Sequence, residues 1–339
     1  MRKSVLLINL GSPERPETGA IRKYLKTFLS DPRLMDMPSV IRWLILYMFI
    51  LPFRPRAIRA KYEKIWDKDG FLLIKNSQKL VEALSEALGP EYIVEMAMRY
   101  CEPTINSTLQ RIVASGAPDL LVIPLFPQYA SATTGSILEH LFDTIKAWTV
   151  FPRITVFSQF HSQPGFIRAW VKVAEKCLKE EPDHILFSFH GLPEKHILNA
   201  DRSGSLCLSS DQCCERLHRM NHSCYRAQCF QTARNIADAL RINKKDYSVG
   251  FQSRLGRAKW IEPYTSDIVE KLGSGGVQDL LVFCPSFVAD CLETVEEIGV
   301  EEKERFLKSG GRKLTLVPSL NAADIWVDAL VDMIRQAKR

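Results

Sequence analysis

The feature that most constrains the fold is an alternation of short apolar runs with longer segments of helical periodicity. This alternation is typical of parallel sheets with helices on both faces, so we predict an α/β chain with two doubly wound, Rossmann-like parallel-sheet domains. The predicted strands are Val5–Asn9, Ile93–Ala97, Leu120–Leu125, Ile154–Phe157, His184–Phe189, Tyr247–Phe251, Leu280–Cys284 and Lys313–Val317. The predicted helices include Gln78–Leu88, Ser136–Trp148, Phe166–Lys179, Gln231–Leu240 and Ala322–Lys338.

The chain length of 339 residues leaves room for two domains, each with its own core. We expect an N-terminal domain over residues 1–163 and a C-terminal domain over residues 164–319, with the final helix, residues 320–339, packing on the first. Doubly wound folds bind ligands at the carboxyl ends of their strands, and we expect the ligand between the two halves. No Gly-x-Gly-x-x-Gly or Walker-type loop follows a strand, so the fold does not indicate a nucleotide.

The composition excludes some partners. The net charge of +6 is too small and too dispersed to indicate nucleic acid, although it suits an anionic ligand or membrane surface. The first apolar run, Val5–Leu10, is too short for a signal peptide, so we expect a cytoplasmic protein. Thiols stay reduced in the cytoplasm, and the nine cysteines therefore indicate metal ligation rather than disulfides.

Five of the nine cysteines lie close together in the sequence, at Cys207, Cys213, Cys214, Cys224 and Cys229. Four thiolates are the usual ligands of a [2Fe–2S] centre, and a structural zinc also takes four ligands from Cys or His. The paired Cys-x-x-Cys spacing of zinc ribbons is missing, whereas His218 and His222 keep zinc open as an alternative.

Two further features could carry chemistry. His190 ends an apolar run and begins the turn His-Gly-Leu-Pro, which places it at the edge of the sheet where such folds keep their sites. Histidine accepts and releases protons near neutral pH, so His190 is either a catalytic base or a hydrogen-bonded turn residue. Glu293, Glu296 and Glu297 have the spacing of one helix face, which suits metal binding and proton transfer or else a solvated first turn.

An uncharged segment of eleven residues, Trp43–Phe53, is too short to span a bilayer. It is either a buried helix or a half-exposed apolar lip that lines a large flat ligand or dips into a membrane. The basic residues after it, Arg54, Arg56, Arg59 and Lys61, favour the lip because they could meet lipid phosphates or carboxylates.

Taken together, the motifs resemble the ferrochelatases, which insert ferrous iron into a porphyrin to make haem. The matching segments run in family order over nearly the whole chain: Leu7–Glu14, Phe28–Arg33, Pro127–Tyr129 with Thr133–Gly135, Ser188–Pro193, Phe251–Gly256 with Trp260, and Asp290–Thr294. The resemblance implies a chelatase-like fold. It also implies insertion of Fe²⁺ into protoporphyrin IX or coproporphyrin III with release of two protons, at or near the last step of haem biosynthesis.

The resemblance also implies roles for single residues. His190, Glu293 and Glu297 match the catalytic positions, with His190 and Glu293 meeting the substrate iron. The positions around the macrocycle are matched by Met35, Tyr129, Gln252, Arg254 and Trp260. The apolar stretch after Pro38 matches the family's lip, which implies peripheral attachment to lipid at the inner face of the cytoplasmic membrane.

The sequence departs from the family pattern in three places. Cys291 stands where many members have a second histidine. Ser131 replaces a cluster cysteine of the animal members, and their C-terminal cysteine trio is missing. The cysteines instead lie in an insertion over residues 200–230, which resembles bacterial ferrochelatases with an internal [2Fe–2S] cluster.

Adjacent cysteines seldom both face inward, so we predict ligation by four of the five, with Cys213 as the alternative to Cys214; the predicted ligands are Cys207, Cys214, Cys224 and Cys229. Other readings stay open: a cobalt or nickel chelatase of a related tetrapyrrole, and a non-catalytic Fe–S or haem-binding sensor on the same scaffold. The sequence also leaves open the choice of porphyrin and the oligomeric state.

Overall fold

Eight strands of the described residues form two four-stranded parallel sheets in the computed structural model, which describes residues 2–68, 70–210, 212–256 and 258–337. The first sheet contains β1 (Lys3–Asn9), β4 (Tyr92–Met98), β5 (Asp119–Pro124) and β6 (Arg153–Val156), in the order β4-β1-β5-β6. The second contains β7 (His184–His190), β8 (Tyr247–Gln252), β9 (Asp279–Phe283) and β10 (Lys313–Leu316), in the order β10-β9-β7-β8. A short antiparallel hairpin joins β2 (Trp66–Asp67) to β3 (Gly70–Phe71).

Helices connect these strands, as parallel pairing requires. They are α1 (Thr18–Leu29), α2 (Ser39–Leu44), α3 (Leu51–Lys64), α4 (Leu72–Leu88), α5 (Ile105–Ala114), α6 (Ser136–Ile145), α7 (Pro164–Leu178), α8 (Glu194–Ala200), α9 (Tyr225–Ala239), α10 (Thr265–Ser274), α11 (Lys303–Lys308) and α12 (Asp324–Gln336). Three further segments are π-helical: Ile45–Ile50, Ser131–Gly135 and Leu292–Glu302. The predicted α/β class with two parallel sheets is confirmed, and the predicted helix end at Lys338 lies outside the described residues.

The chain groups into two compact units. The first comprises Met1–Phe126, Ala130–Gln159 and Leu330–Arg339, and the second comprises Pro127–Tyr129 and Phe160–Ala329. The residues of α12 are therefore divided between the two units. The domain limits expected from the sequence, residues 1–163 and 164–319 with 320–339 on the first, stay a prediction.

Each unit has its own core. In the first unit, β1 is buried from Ser4 onward and packs between helices, which explains its continuous apolar sequence. Asp31 is a buried carboxylate in this unit and accepts hydrogen bonds from Arg99 (2.9 Å), Tyr100 (2.8 Å) and Ser136. In the second unit, Trp326 packs against Phe160 and Phe166 in an aromatic core.

The apolar segment around residues 40–53 forms α2, a π-helical turn and the start of α3. Its large side chains face outward and make what we call the apolar ridge: Val40, Ile41, Trp43, Leu44, Tyr47, Met48, Phe49 and Phe53. Phe49 and Phe53 are 68% and 69% exposed, so this segment is not a buried helix. In the described part of the chain, no helix is long and apolar enough to cross a membrane.

Candidate active site and thiol cluster

His190 is the last residue of β7, at the carboxyl edge of the second sheet. Its backbone N–H donates to Ser286 Oγ (3.1 Å), and its carbonyl oxygen accepts from the Tyr225 hydroxyl (2.8 Å). Its ring Nδ1 lies 2.6 Å from the Gly191 carbonyl oxygen. A carbonyl oxygen only accepts hydrogen bonds, so Nδ1 carries the hydrogen and Nε2 presents a lone pair. This tautomer equips Nε2 to accept a proton.

Close packing behind the imidazole explains the glycine that follows it. The Gly191 N–H donates to the Gln252 carbonyl at 2.8 Å, and a Cβ on Gly191 would meet the same oxygen at 2.8 Å. The His190 ring lies between two aromatic neighbours, with centroid distances of 6.4 Å to Trp260 and 6.2 Å to Phe287.

The carboxylates of the π-helical segment Leu292–Glu302 form an acidic line beside His190. A π-helix bonds residue i to i+5, so residues four and five apart stack along it. Glu293, Glu297 and Glu302 follow this spacing, and electrostatic interactions connect Glu297 with His190, Glu293 and Glu302. Glu296, which the α-helical spacing placed on the same face, is buried and does not follow the π-helical spacing of this line.

Ser253 fixes the central carboxylate of this line. Its N–H donates to Glu297 Oε1 (2.7 Å) and its hydroxyl donates to Oε2 (2.5 Å). Ser253 has a left-handed backbone with φ of +65°, which is costly for a residue other than glycine and turns both donors toward Glu297. No residue pattern around Ser253 indicated this role.

Two carboxyls of the acidic line, those of Glu297 and Glu302, have a raised pKa and are therefore harder to ionise than an ordinary glutamate. Burial raises the pKa of Glu297, and the charge of Glu293 adds to this, whereas the bonds from Ser253 and the charge of His190 oppose it. Burial likewise raises the pKa of Glu302 to about 6, against a partial offset from Arg305. Groups whose pKa approaches the working pH exchange protons readily.

Three residues expected at the macrocycle lie near this site. Gln252 is buried, and its amide donates to the Glu293 carbonyl (2.8 Å) and to Glu297 (3.2 Å). Its side chain therefore holds the acidic line in place. Trp260 is nearly buried and donates to the Leu255 carbonyl, whereas Arg254 is exposed and lies over the Tyr264 ring at 4.5 Å.

The other two expected macrocycle residues are partly exposed. The Tyr129 N–H donates to Gln228 Oε1 (2.8 Å), which orders the loop that carries the phenol ring. Met35 ends a tight turn in the first unit, where its N–H donates to the Asp31 carbonyl (3.0 Å).

A cavity of about 920 Å³ lies in the first unit at the carboxyl ends of β1 and β4. Its walls combine aromatic rings with cationic groups and a thiol, and include Ser12, Lys23, Tyr24, Trp66, Lys68, Arg99, Tyr100, Cys101 and His140. A cavity of this size and lining is typical of sites for organic ligands.

The five cysteines of the insertion form a thiol cluster, defined as Cys207, Cys213, Cys214, Cys224 and Cys229. Four of them are buried and Cys213 is partly exposed. The Cys224 thiol neighbours both Cys207 and Cys214, and the Cys213 and Cys214 sulfurs lie 3.6 Å apart. The four predicted ligands are therefore the four buried thiols.

The environment of these thiols makes them hard to ionise. Burial raises the pKa of Cys207 and Cys229, and the bond with Cys224 raises that of Cys214. A thiolate in this environment needs a nearby cation, which a ligated metal supplies. Within the described ranges, no group of three or more His, Cys, Asp or Glu side chains is arranged to hold a single metal ion.

Two polar residues that the sequence analysis missed organise the insertion. The Asp201 carboxylate accepts from the N–H groups of Ser203, Leu206 and Cys207, which lowers its pKa to about 2. The buried Asn221 side chain binds the Cys213 carbonyl (3.2 Å) and so ties the loop together. The Ser-Gly pair two residues after Asp201 is a turn signal that could have identified this residue. His218 and His222 are exposed, and their ring nitrogens are used in local hydrogen bonds.

The two parallel sheets have the fold of the chelatases. The solved structure of SirB from Bacillus subtilis with Fe³⁺ superposes with a TM-score of 0.57 at 11% identity, covering 99% of this chain and 96% of that chain. A sirohydrochlorin chelatase, SirB from Bacillus subtilis subspecies spizizenii in complex with cobalt, gives a TM-score of 0.53 at 11% identity, with 99% and 95% covered.

Sequence comparison identifies the particular family within this class. The ferrochelatase family model matches residues 2–338. A ferrochelatase from Coxiella burnetii (strain CbuK_Q154) is 43% identical, with 98% of this chain and 93% of the relative covered. One from Legionella pneumophila (strain Lens) is 40% identical, with 99% of each chain covered. The chain belongs to the ferrochelatase family, whose enzymes insert Fe²⁺ into a porphyrin in haem biosynthesis; a cobalt or nickel chelatase and a non-catalytic sensor are not favoured.

Proposed function

We propose that His190 is the base of this ferrochelatase and takes the pyrrole protons as Fe²⁺ enters the porphyrin. The observation that carries this assignment is the bond from Nδ1 to the Gly191 carbonyl, which leaves the Nε2 lone pair as the proton acceptor. Glu293 meets the substrate iron with His190. A porphyrin must lose two protons before its nitrogens can bind the metal, so a base beside an acidic line suits the reaction.

The acidic line then carries charge away from His190. Glu297 interacts with both His190 and Glu302, and burial raises the pKa of both carboxyls toward the working pH. Protons released at His190 can therefore pass along Glu293, Glu297 and Glu302. Gln252 and Ser253 hold Glu297 for this purpose.

The base is tested by His190→Ala and Glu293→Ala, assayed anaerobically for Fe²⁺ insertion and separately for porphyrin binding by fluorescence quenching. We expect insertion to be lost while porphyrin binding remains. His184→Ala is the matched control, because His184 begins the same strand and its ring contacts only Ser248 among the hydrogen bonds described. Near-normal turnover of His190→Ala would reject the assignment.

The porphyrin is proposed to contact the exposed or partly exposed residues Met35, Tyr129 and Arg254, with Trp260 supporting the His190 ring. Parallel assays with protoporphyrin IX and coproporphyrin III test which porphyrin is the substrate.

The thiol cluster is proposed to hold a [2Fe–2S] centre on Cys207, Cys214, Cys224 and Cys229. Its support is the burial of these four thiols and the exposure of His218 and His222, which a zinc site would otherwise use. Such a centre would stabilise the insertion, because ligation energy is folding energy.

The centre is tested on anaerobically purified protein by iron, sulfide and zinc analysis with a visible spectrum. Cys214→Ala should lose iron and colour, whereas Cys213→Ala, the matched control at the preceding position, should keep both. A colourless wild-type protein that contains stoichiometric zinc would refute the [2Fe–2S] centre and support a zinc site.

The apolar ridge is proposed to attach the protein peripherally to membrane lipid. Its exposed aromatic side chains suit the lipid interface, and the exposed Arg56 and Arg59 follow in α3, whereas Arg54 is half-buried. Phe49→Glu should reduce co-sedimentation with phosphatidylglycerol vesicles. Phe151→Glu, at an exposed phenylalanine elsewhere, is the control, and equal binding of all forms would exclude this attachment.

A further inference from the structure

The Tyr225 hydroxyl lies between His190 and the thiol cluster. Tyr225 is the first residue of α9, next to Cys224 and one helical turn before Cys229. It is buried, and its hydroxyl donates to the His190 carbonyl at 2.8 Å. The Cys229 thiol and the Ser286 hydroxyl are the other polar neighbours of this hydroxyl. No role in iron insertion accounts for these three contacts.

Three of these groups form a closed ring of polar contacts around the His190 backbone. The His190 N–H donates to Ser286 Oγ, Tyr225 donates to the His190 carbonyl, and the Ser286 side chain neighbours the Tyr225 hydroxyl. The ring holds the peptide units on both sides of the imidazole. One of these units leads to the Gly191 carbonyl, which accepts from Nδ1 and thereby selects the tautomer. A change in the ring would therefore alter how firmly that tautomer is held.

The Cys229 sulfur competes for the same hydrogen. A phenol has one hydroxyl hydrogen, so a stronger bond to Cys229 weakens the bond to His190. Cys229 is completely buried, and no water can substitute for either acceptor without opening the core. Any change at this sulfur, including its ligation, changes its strength as an acceptor.

We propose that Tyr225 is a positioning residue that couples the thiol cluster to the active-site histidine by sharing its hydroxyl between Cys229 and the His190 carbonyl. The proposal rests on the proposed role of His190 as the base. It gives the insertion a function in the reaction besides stability, since the state of the thiols is transmitted to the imidazole.

The first test compares Tyr225→Phe with wild type, and uses Tyr247→Phe as the matched control, a buried tyrosine at the start of β8. The seven histidines are labelled with ¹⁵N, and the signals that are missing from the spectrum of His190→Ala are assigned to His190. We expect Tyr225→Phe to move the His190 Nδ1 and Nε2 shifts toward the average of the two tautomers. We also expect kcat to fall about tenfold with the porphyrin KM unchanged, the effect of one lost buried hydrogen bond.

The second test is a double-mutant cycle on the metal-free full-length protein. Cys229→Ala removes the competing acceptor and should move the His190 ¹⁵N shifts, whereas Cys213→Ala, at a thiol that Tyr225 does not contact, should not. In the Tyr225→Phe background, Cys229→Ala should have no further effect on these shifts. A shift of equal size in both backgrounds would show that Tyr225 transmits nothing.

Ser286→Ala removes the acceptor of the His190 N–H, and it tests the same coupling if Tyr225→Phe does not fold. His190 signals that stay unchanged in both variants would overturn the coupling. This result is distinct from failure of the proposed function: that failure shows as an active His190→Ala, whereas failure of the coupling alone leaves His190→Ala inactive and Tyr225→Phe normal.

Discussion

Removing the Ser253 hydroxyl tests whether its hydrogen bond lowers the pKa of Glu297 in the acidic line. Ser253→Ala deletes the donor to Glu297 Oε2 (2.5 Å) and leaves the backbone donor to Oε1 (2.7 Å). Alanine and serine have the same Cβ, so the cost of the left-handed backbone is unchanged. The substitution therefore isolates one hydrogen bond to a carboxylate.

The expected direction follows from the charge of the acceptor. Burial already raises the pKa of Glu297, and the Ser253 hydroxyl opposes this by stabilising the ionised form. A hydrogen bond to a charged group contributes about 1.5–3 kcal/mol, and 1.36 kcal/mol corresponds to one pKa unit, so its loss should raise the pKa by roughly one to two units. Because insertion is expected to need ionised Glu297, the kcat of the variant should begin to fall at a higher pH than that of wild type as the solution is acidified. At alkaline pH, where Glu297 is ionised in both proteins, their kcat values should be equal.

The assay is the pH dependence of kcat for Fe²⁺ insertion under anaerobic conditions. Ser274→Ala, at an exposed serine ending α10, is the control and should follow the wild-type profile. Ser253→Gly removes the same hydroxyl while relieving the backbone cost, and should shift the acid limb as Ser253→Ala does. An acid limb of the pH profile that does not shift, or a fall in kcat of the same size at every pH, would refute the idea that the Ser253 hydroxyl lowers the pKa of Glu297.

Three further substitutions give independent tests. Gly191→Ala should lower the free energy of unfolding by about 1–3 kcal/mol and lower kcat, because the added Cβ would meet the Gln252 carbonyl oxygen at 2.8 Å. Gly19→Ala is the control and should lower neither Tm nor kcat, because nothing lies within 4 Å of its Cβ. Glu302→Gln should stabilise the fold by about 2 kcal/mol at pH 7 and little at pH 4.5, because the folded pKa of about 6 makes wild-type stability fall as the pH rises through this interval. Glu304→Gln, which is exposed, should show no such pH dependence in chemical denaturation. Asp31→Asn should cost about 3–5 kcal/mol by thermal unfolding, because it removes one partner of a buried ion pair; a loss below 1 kcal/mol would contradict this.

The sequence predicted the sheets well because strands buried on both faces must be continuously apolar. The burial pattern of β7, with five consecutive buried residues before His190, shows this constraint directly. The position of His190 at the strand end followed from the same pattern. The four buried thiols of the insertion also agree with the predicted ligand set, although their ligation stays a prediction.

Other parts of the site depend on geometry that residue spacing does not encode. The glutamates at 293, 296 and 297 have α-helical spacing, but the π-helical turn buries Glu296 and brings Glu302 into electrostatic contact with Glu297. Ser253 acts through a left-handed backbone. Tyr225 reaches a carbonyl group 35 residues earlier in the chain. Such contacts are set by tertiary packing, and no local pattern announces them.

The thiol cluster is divided between two structural supports. Cys207, Cys213 and Cys214 belong to the loop between α8 and α9, whereas Cys229 lies within α9, on the same helix as Tyr225. Shortening that loop would delete three thiols and leave the second sheet's strand order and the tyrosine beneath the histidine in place. The thiol-bearing loop is thus a separable part of the architecture, one that a single loop exchange could add or remove without rebuilding the strand end that carries His190.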